Sequence, residues 1–469
     1  MNELVALEPT RLVIAALVGL AVLLALIIRF KVPAMIAILV GAVLIGLGAG
    51  MPLDQIVKAV DDGVGNTLKG IALLVGLGSM FGAILEISGG AKVMAVTLVD
   101  RFGERKAAWA LAITGLVIAI PVFFDAGLII LIPLAFSLAR RTGRSTLYYA
   151  IPLLAGLAVG HAFIPPTPGP VLVASMLGVD LGRVILIGAA CGIAAMIVAG
   201  PLWGAYCGRK FFVAAPGREA GMESEEKAEA AGPEAGRGLK AAPARRLPSF
   251  ATVLTIILIP LILIILKSVA GVVDALAPAR KVIGFLGEPF VALTIATVVA
   301  MVLLGRRNGY SAAELEKVMT KSLEPVGLIL LVTACGGVLR YILQYSGLGE
   351  VIGQAVASAA LPMVVVAFVV AAVVRISVGS ATVAMTMAAG IVAAMPEVGG
   401  LSPAHLACIT AAIAGGATVC SHFNDSGFWL VKTLMGMDEK TTLRTWTVME
   451  TLVGFTGFLV ALVISFFVK

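Results

Sequence analysis

The sequence predicts an all-α polytopic membrane protein built from two repeats of inverted topology. Its composition is the first observation: of 469 residues, 60% are hydrophobic and 13% are charged, and the mean hydropathy is +1.07. A soluble domain needs far more polar surface, so lipid must surround most of this chain. Long apolar runs and an internal repeat of constant spacing are the other two observations.

Several apolar runs have roughly the 17–25 residues that a helix needs to cross a bilayer. They include residues 12–28, 184–205, 250–266, 282–304 and 446–468. The runs lack β-barrel alternation, so they are predicted to be helices. Basic residues cluster in short loops between the runs. The net charge of +7 therefore reports orientation in the bilayer and does not indicate a nucleic-acid partner.

A polar stretch, residues 208–249, divides the chain into an N-terminal repeat, 1–207, and a C-terminal repeat, 250–469. It is rich in Ala, Gly, Glu, Arg and Pro, and is predicted to be a flexible cytoplasmic linker. Residues 84–89 resemble 342–347, and residues 168–180 resemble 426–438, at the same offset of 258 residues. The simplest cause is gene duplication, which is typical of secondary transporters.

Each repeat is predicted to have about five crossings, a re-entrant hairpin and a broken helix. Residues 107–139 are apolar between basic flanks, and a break at 121–127 leaves two arms of about 13 residues, too short to span. The equivalent stretch, 363–395, is broken at 375–382 and lacks basic flanks, so it should enter from the opposite side. Non-helical backbone at that depth must be buried in protein or face a watery cavity.

An interrupted apolar segment follows each hairpin, at residues 160–170 and 420–429. Four prolines in the first remove backbone donors and break the helix. Broken helices expose N–H groups at a positive dipole end, which suits a carboxylate, and carbonyls that can help to bind a cation. The two hairpin tips and the two broken helices could therefore surround one anion in the middle of the membrane.

Short polar side chains at these breaks suit a polyol chain, and an arginine there could hold a carboxylate. These candidates are Arg375, Ser377, Ser380, Thr382, Ser421, Asn424 and Ser426. The hairpin tips add Gly127 and Gly379 to the candidate site. The alternative for Arg375 is that its long side chain reaches out to the membrane interface.

Ionisable groups in apolar surroundings are costly and therefore usually functional in a membrane. Asp125, His422 and Asp425 are the candidates for proton coupling, and Asp125 and Asp425 are also candidates for substrate binding. The alternatives are that Asp125 caps the hairpin and that Asp425 caps the following half-helix. His161 either binds substrate or satisfies a helix end beside the prolines.

The sequence lacks the motifs of ATP hydrolysis and of peptide cleavage. Its five cysteines show no metal-binding spacing, so neither a metal nor a cofactor is predicted. A membrane-embedded enzyme using His422 and Asp425 as acid and base is a remote alternative, because the repeat symmetry gives it no reason.

Residues 161–170, 378–384 and 421–429 resemble the gluconate permease family of gluconate:proton symporters. The resemblance implies import of gluconate or a related small hydroxy-carboxylate with H⁺ across the bacterial inner membrane, by a homodimer of elevator type. It also implies substrate binding by Ser380, Thr382, Ser421, Asn424 and Asp425, and by the loop that contains Pro165, Pro166, Thr167 and Gly169. A Na⁺-coupled anion carrier of the same superfamily is the alternative, because carbonyls of broken helices can coordinate Na⁺.

Overall fold

The computed structural model describes residues 9–215, 247–270, 273–348, 351 and 361–468, and these are helical with no strand among them. Most of the predicted linker, 208–249, lies outside the described residues, although its first residues continue a helix to Lys210. The helices before the linker are α1 Pro9–Ile28, α2 Ala34–Gly48, α3 Leu53–Ile87, α4 Gly90–Phe102, α5 Ala107–Ala119, α6 Phe124–Thr142, α7 Leu147–Phe163, α8 Pro168–Leu177, α9 Leu181–Ile197 and α10 Trp203–Lys210.

The helices after the linker follow a similar order of lengths and breaks. They are α11 Phe250–Ala270, α12 Arg280–Leu286, α13 Pro289–Ala300, α14 Ala312–Lys321, α15 Glu324–Tyr345, α16 Met363–Val378, α17 Ala381–Ala393, α18 Pro403–Gly416, α19 Ser426–Met435, α20 Glu439–Thr442 and α21 Val448–Ser465. A π-helical turn, Leu443–Thr447, joins α20 to α21 without interrupting the backbone.

Within the described ranges, seven helical segments are long and apolar enough to cross a membrane, or eight if the bent α3 counts as one span. The chain is therefore a multi-pass membrane protein. The sequence predicts about ten crossings. The difference arises in part because α2 and α18, which the prediction counts within crossings, are apolar helices of only 10–17 residues. Helices of that length do not span a bilayer alone.

The offset of 258 residues seen in the sequence recurs in the local conformation. Ser88 and Ser346 both end a long helix, and each hydroxyl donates to the carbonyl three residues earlier, at 3.0 and 3.1 Å. Helices α8 and α19 each have ten residues and end at a left-handed glycine, Gly178 with φ 70° and Gly436 with φ 61°. Equivalent residues of the two halves therefore have equivalent backbone roles.

All four predicted interruptions are present as breaks between helices. Residues 120–123 separate α5 from α6, and residues 379–380 separate α16 from α17. Residues 164–167 separate α7 from α8, and residues 417–425 separate α18 from α19. These breaks leave helix ends inside the apolar bundle, where they form the candidate site.

Candidate functional site

A cavity of about 580 Å³ lies where three of the four helix breaks meet. This volume is within the range of small-molecule binding pockets, roughly 300–1,000 Å³. Its lining combines the start of α6, the end of α7, the tip between α16 and α17, the loop before α19 and the first turns of α21. The interrupted backbone that the sequence predicts is therefore largely gathered around one space.

Three helices direct their N-termini at this cavity. Residues 124–126 begin α6, residues 380–382 begin α17, and residues 425–427 begin α19, and all of them line the cavity. Ser380 caps α17 by accepting the backbone N–H of Val383 at 3.4 Å. The remaining free N–H groups and the positive ends of three helix dipoles favour a negative group in the space between them.

Arg375 is the only arginine or lysine among the described residues that line the cavity. Its side chain is 3% exposed, and its Nη2 lies 2.5 Å from Oδ2 of Asp425. The alternative that Arg375 reaches the membrane interface is therefore wrong. Its Nε and Nη1 have no hydrogen-bond partner within the described part of the chain, so two of its nitrogens are free to receive an anion.

Asp425 is held by several donors besides Arg375. Its Oδ1 accepts the N–H of Gly427 at 3.1 Å, which caps α19, and the Ser421 hydroxyl donates to Oδ2. Ser421 in turn accepts the indole N–H of Trp446 at 2.7 Å. Asp425 therefore caps α19, as the alternative from the sequence states, and it also pairs with Arg375, while its role in substrate binding or proton coupling stays a prediction. A buried chain of donors fixes the carboxylate that orients the arginine.

Replacing Trp446 by phenylalanine should weaken this chain without removing the aromatic packing. Trp446 is 2% exposed, so loss of its N–H leaves a buried acceptor without a partner, at about 1–3 kcal/mol. We expect a lower melting temperature in detergent. Trp429→Phe is the matched control, because Trp429 is 41% exposed and its N–H donates to the carbonyl of Phe423 near the surface. Equal shifts for both variants would contradict the prediction.

Glu450, which is not among the candidates predicted from the sequence, lines the same cavity. Glu450 is 5% exposed, and its Oε1 has no hydrogen-bond partner within the described residues. It lies on α21, in the apolar run 446–468. A lone carboxylate in such a run is a functional signal by the same argument that singled out Asp125 and Asp425.

The π-helical turn before α21 also attaches that helix to the loop before α19. The Thr447 hydroxyl donates to the carbonyl of Ser421, and the hydroxyl of Thr451 accepts the N–H of Cys420 at 3.1 Å. Cys420 has a positive φ of 53°, which is uncommon outside glycine and asparagine. The loop is thus held in an unusual conformation by contacts from one neighbouring helix, as is common at functional sites.

Gly379 lies where the tip between α16 and α17 touches the loop before α19. Its φ is +84°, and a Cβ there would lie 2.2 Å from the carbonyl oxygen of Asn424. Gly379→Ala should therefore lower stability by about 1–3 kcal/mol or more, through strain and displacement of that loop. Melting in detergent measures the effect, with Gly436→Ala as control. Gly436 has φ +61° with open space around it, so an equal loss there would rule out the contact as the cause.

Most of the predicted site residues line the cavity. These are Asp125, His161, Arg375, Gly379, Ser380, Thr382, Asn424, Asp425 and Ser426. Three others lie beside it. Ser377 donates within its helix to Val373 at 2.8 Å, Ser421 lies beneath Asp425, and His422 places Nε2 3.0 Å from the carbonyl oxygen of Ile376.

The proline loop lies apart from this cavity, contrary to the expectation that four breaks surround one site. Pro166 and Thr167 line a separate space of about 20 Å³ beside the break between α5 and α6, while Pro165 is in neither lining. Gly169 packs against Met385 of α17, and Gly127 packs against Leu157 of α7. These contacts hold helices together, so the sequence correctly located the breaks but not all of their partners.

A second cavity, of about 530 Å³, adjoins the first. Phe123, Ala126 and Pro325 line both, which makes the second space a vestibule to the first. Charged side chains line the vestibule, including Glu86 and Lys321. The two cavities are thus neighbours that share part of their lining.

Within the described residues, no group of three or more His, Cys, Asp or Glu side chains could hold a metal ion. The five cysteines are unpaired, and four of them are buried. The described lining of the cavity offers one guanidinium, three carboxylates and the fixed dipoles of helix ends to a solute.

Multiple membrane-crossing helices around a buried polar cavity define a membrane transporter. The whole described bundle matches one family model, the GntP family permease, over residues 11–467. The chain belongs to this family. It is 39% identical to the low-affinity gluconate transporter of Escherichia coli over 96% of this chain and 98% of that one. It is 37% identical to the gluconate permease of Pseudomonas aeruginosa, over 97% of each chain.

Solved structures of other transporters have a similar fold. The Alcanivorax borkumensis YdaH transporter matches with a TM-score of 0.60 at 17% identity, over 88% of this chain and 90% of that one. Neisseria gonorrhoeae MtrF matches with a TM-score of 0.64 at 14% identity, over 89% and 86%. The family resemblance noted in the sequence is confirmed. Because its relatives are transporters and permeases, the chain is a gluconate-family transporter and not an enzyme.

Proposed function

We propose that this chain imports gluconate or a related small hydroxy-carboxylate across the bacterial inner membrane by proton symport. The observation that carries the proposal is the buried Arg375, which has two unpartnered nitrogens beside three helix N-termini. Relatives named for gluconate and for L-idonate, at 39% and 36% identity, support a sugar acid as substrate. A 34% identical relative is an inner membrane permease, which supports the location.

The hydroxyl groups around the arginine suit the rest of such a molecule. Ser380, Thr382, Asn424 and Ser426 line the cavity as short donors and acceptors. A carboxylate on Arg375 would form charge-assisted hydrogen bonds, which are about twice as strong as neutral ones. The chain of hydroxyls on a sugar acid would then meet the serine, threonine and asparagine side chains.

The charges of the cavity favour coupling to protons. Asp125, Asp425 and Glu450 face one arginine, so the lining carries a net charge of minus two when all three are ionised. Two like charges 4 Å apart repel by about 4 kcal/mol at an effective dielectric constant of 20. An anion therefore enters more favourably when a carboxylate takes up a proton.

Coupling to Na⁺ is the alternative, and it needs free carbonyls at the helix breaks. The carbonyl of Ile376 at the end of α16 already accepts from Asn424 Nδ2 at 2.8 Å and lies 3.0 Å from Nε2 of His422. These side chains occupy the oxygen that a cation would use. Proton symport is therefore the better-supported mode.

The architecture that we propose for this function has two inverted repeats, each with a re-entrant hairpin formed by α5 and α6 or by α16 and α17. The shared cap geometry of the two halves supports duplication. By family resemblance, the hairpins and broken helices move as an elevator within a homodimer. The segment joining the halves is a cytoplasmic linker between the repeats 1–207 and 250–469.

Purified protein in proteoliposomes tests the proposal. Labelled gluconate should accumulate when the outside is made acidic, and should only equilibrate without a pH gradient. Replacing Na⁺ by choline at fixed pH should leave the uptake unchanged. Accumulation that depends on Na⁺, or that ignores the pH gradient, would contradict proton symport.

A panel of unlabelled competitors defines the substrate class in the same vesicles. Gluconate and idonate should compete, because each has one carboxylate and a chain of hydroxyls. Glucose should not, since it lacks the carboxylate that Arg375 would bind. Competition by glucose, or none by any sugar acid, would overturn the assignment.

A further inference from the structure

Glu450 differs from the other carboxylates of the cavity in how few groups stabilise its charge. Asp425 receives hydrogen bonds from Gly427, Ser421 and Arg375. Asp125 lies in the first turn of α6, at the positive end of a helix, and its side chain is exposed. Glu450 is 5% exposed, and its Oε1 receives no hydrogen bond within the described part of the chain.

Burial of a carboxylate without donors is costly when it is ionised and much less so when it is protonated. Helix α21 continues directly from the π-helical turn before it, so the N–H groups at its start are not free to stabilise the Glu450 carboxylate. Several donors thus stabilise the carboxylate of Asp425, whereas Oε1 of Glu450 receives no hydrogen bond within the described residues.

Charged and titratable groups face Glu450 from several helices. Across the cavity lie Arg375 on α16, Asp425 before α19, His161 on α7 and Asp125 on α6. Helices α9 and α18 also pack against α21, but no charged side chain from their described residues lines the cavity. The positive charge of Arg375 attracts the ionised carboxylate of Glu450, and the negative charge of Asp425 repels it.

We propose that Glu450 is the proton-carrying residue of this transporter and that it competes with the substrate carboxylate for Arg375. This inference rests on the proposed function. In the empty site the ionised Glu450 is balanced by the free nitrogens of Arg375. When Glu450 takes a proton from water on the entry side, those nitrogens become available to the substrate anion. Release of that proton to water on the exit side restores the attraction of Arg375 to Glu450 and expels the substrate.

This assignment replaces the carriers suggested by the sequence. Asp425 is the fixed partner of Arg375, and His422 lies outside the cavity lining, beside the carbonyl of Ile376. Asp125 lies at the exposed start of α6. The competing carboxylate must be near the arginine, buried and short of donors, and Glu450 meets all three conditions.

Glu450→Gln tests the proposal in proteoliposomes, because glutamine keeps the size of the side chain and cannot carry a proton. Wild type should show uptake of labelled gluconate that an inward pH gradient stimulates, together with gluconate-dependent acidification of the lumen. The variant should lose both. Exchange of labelled for unlabelled gluconate, which needs no net proton movement, should persist at a measurable rate.

Glu397→Gln is the matched control. Glu397 also has a buried carboxylate oxygen without a partner, Oε2, but it lies in a turn after α17 and does not line the cavity. This variant should keep gradient-driven uptake.

The outcomes separate the two claims. Gradient-driven uptake that survives in Glu450→Gln overturns the role of Glu450 while leaving proton symport intact. Wild type without gradient stimulation overturns the proposed function itself. If Glu450→Gln loses exchange as well, Glu450→Asp decides: coupled uptake with a displaced pH profile supports the proposal, and coupled uptake with the wild-type profile overturns it.

Discussion

Arg375→Gln should strongly reduce uptake of gluconate at substrate concentrations that nearly saturate the wild type. Arg375 is the only cation among the described lining residues, and it is 3% exposed. Removing one partner of a buried charge pair costs about 2–5 kcal/mol, which is roughly 30-fold or more in affinity. Labelled uptake and competitive binding in detergent both measure this loss.

Arg375→Lys should fall between the wild type and Arg375→Gln. Lysine restores the charge but cannot reproduce the planar fork that holds Asp425 on one nitrogen and leaves two others free. Arg340→Gln is the matched control. Arg340 also has an unpartnered buried Nε, but it lies over the ring of Tyr341 and does not line the cavity. Equal loss of uptake in the control would show that burial of an arginine, and not its position, explains the effect.

Asp425→Ala should be among the most destabilising single substitutions in this chain. It removes the cap of α19, worth about 1 kcal/mol, and leaves the buried Arg375 unpaired, which costs about 3–5 kcal/mol. Asp425→Asn should be milder, because an asparagine oxygen can still accept the N–H of Gly427. Melting temperature in detergent should therefore follow the order wild type, Asn, Ala.

Asp438→Ala separates the two contributions at Asp425. Asp438 is also a helix cap and accepts the N–H of Thr441 at 2.7 Å, but within the described residues no buried arginine pairs with it. Its loss should cost only about the 1 kcal/mol of a cap. If Asp438→Ala and Asp425→Ala were equally destabilising, the ion pair with Arg375 would contribute nothing measurable.

The helix breaks could be predicted from the sequence because their causes are local. The prolines at 165–170 and the glycine at 379 disfavour a continuous helix through their own backbone properties. The charged residues that flank an apolar run indicate whether that run can cross the membrane. The repeat at an offset of 258 residues is also visible in local structure. Ser88 and Ser346 each end a helix, and each hydroxyl donates to the carbonyl three residues earlier. Hence the positions of the interruptions follow from the sequence.

The pairing of side chains across breaks could not be predicted in this way. Arg375 and Asp425 are 50 residues apart, and their contact depends on how two helices cross. For the same reason the proline loop was assigned to the cavity, although Gly169 lies against Met385. The sequence shows Glu450 as a lone charge in an apolar run, but only the packing of α21 reveals that it lines the same cavity as Arg375.

The wider backbone turn at Leu443–Thr447 has a consequence for insertions and deletions in the last helix. Such a turn accommodates one residue more than the regular winding, and each residue of an α-helix advances the side chains by about 100° around its axis. Deleting a single residue there would restore regular winding and leave the downstream face directed at the cavity, whereas deleting one residue between this turn and Glu450 would rotate that face by about 100°. Registration along this helix, as much as amino-acid identity, thus determines which side chain meets the solute.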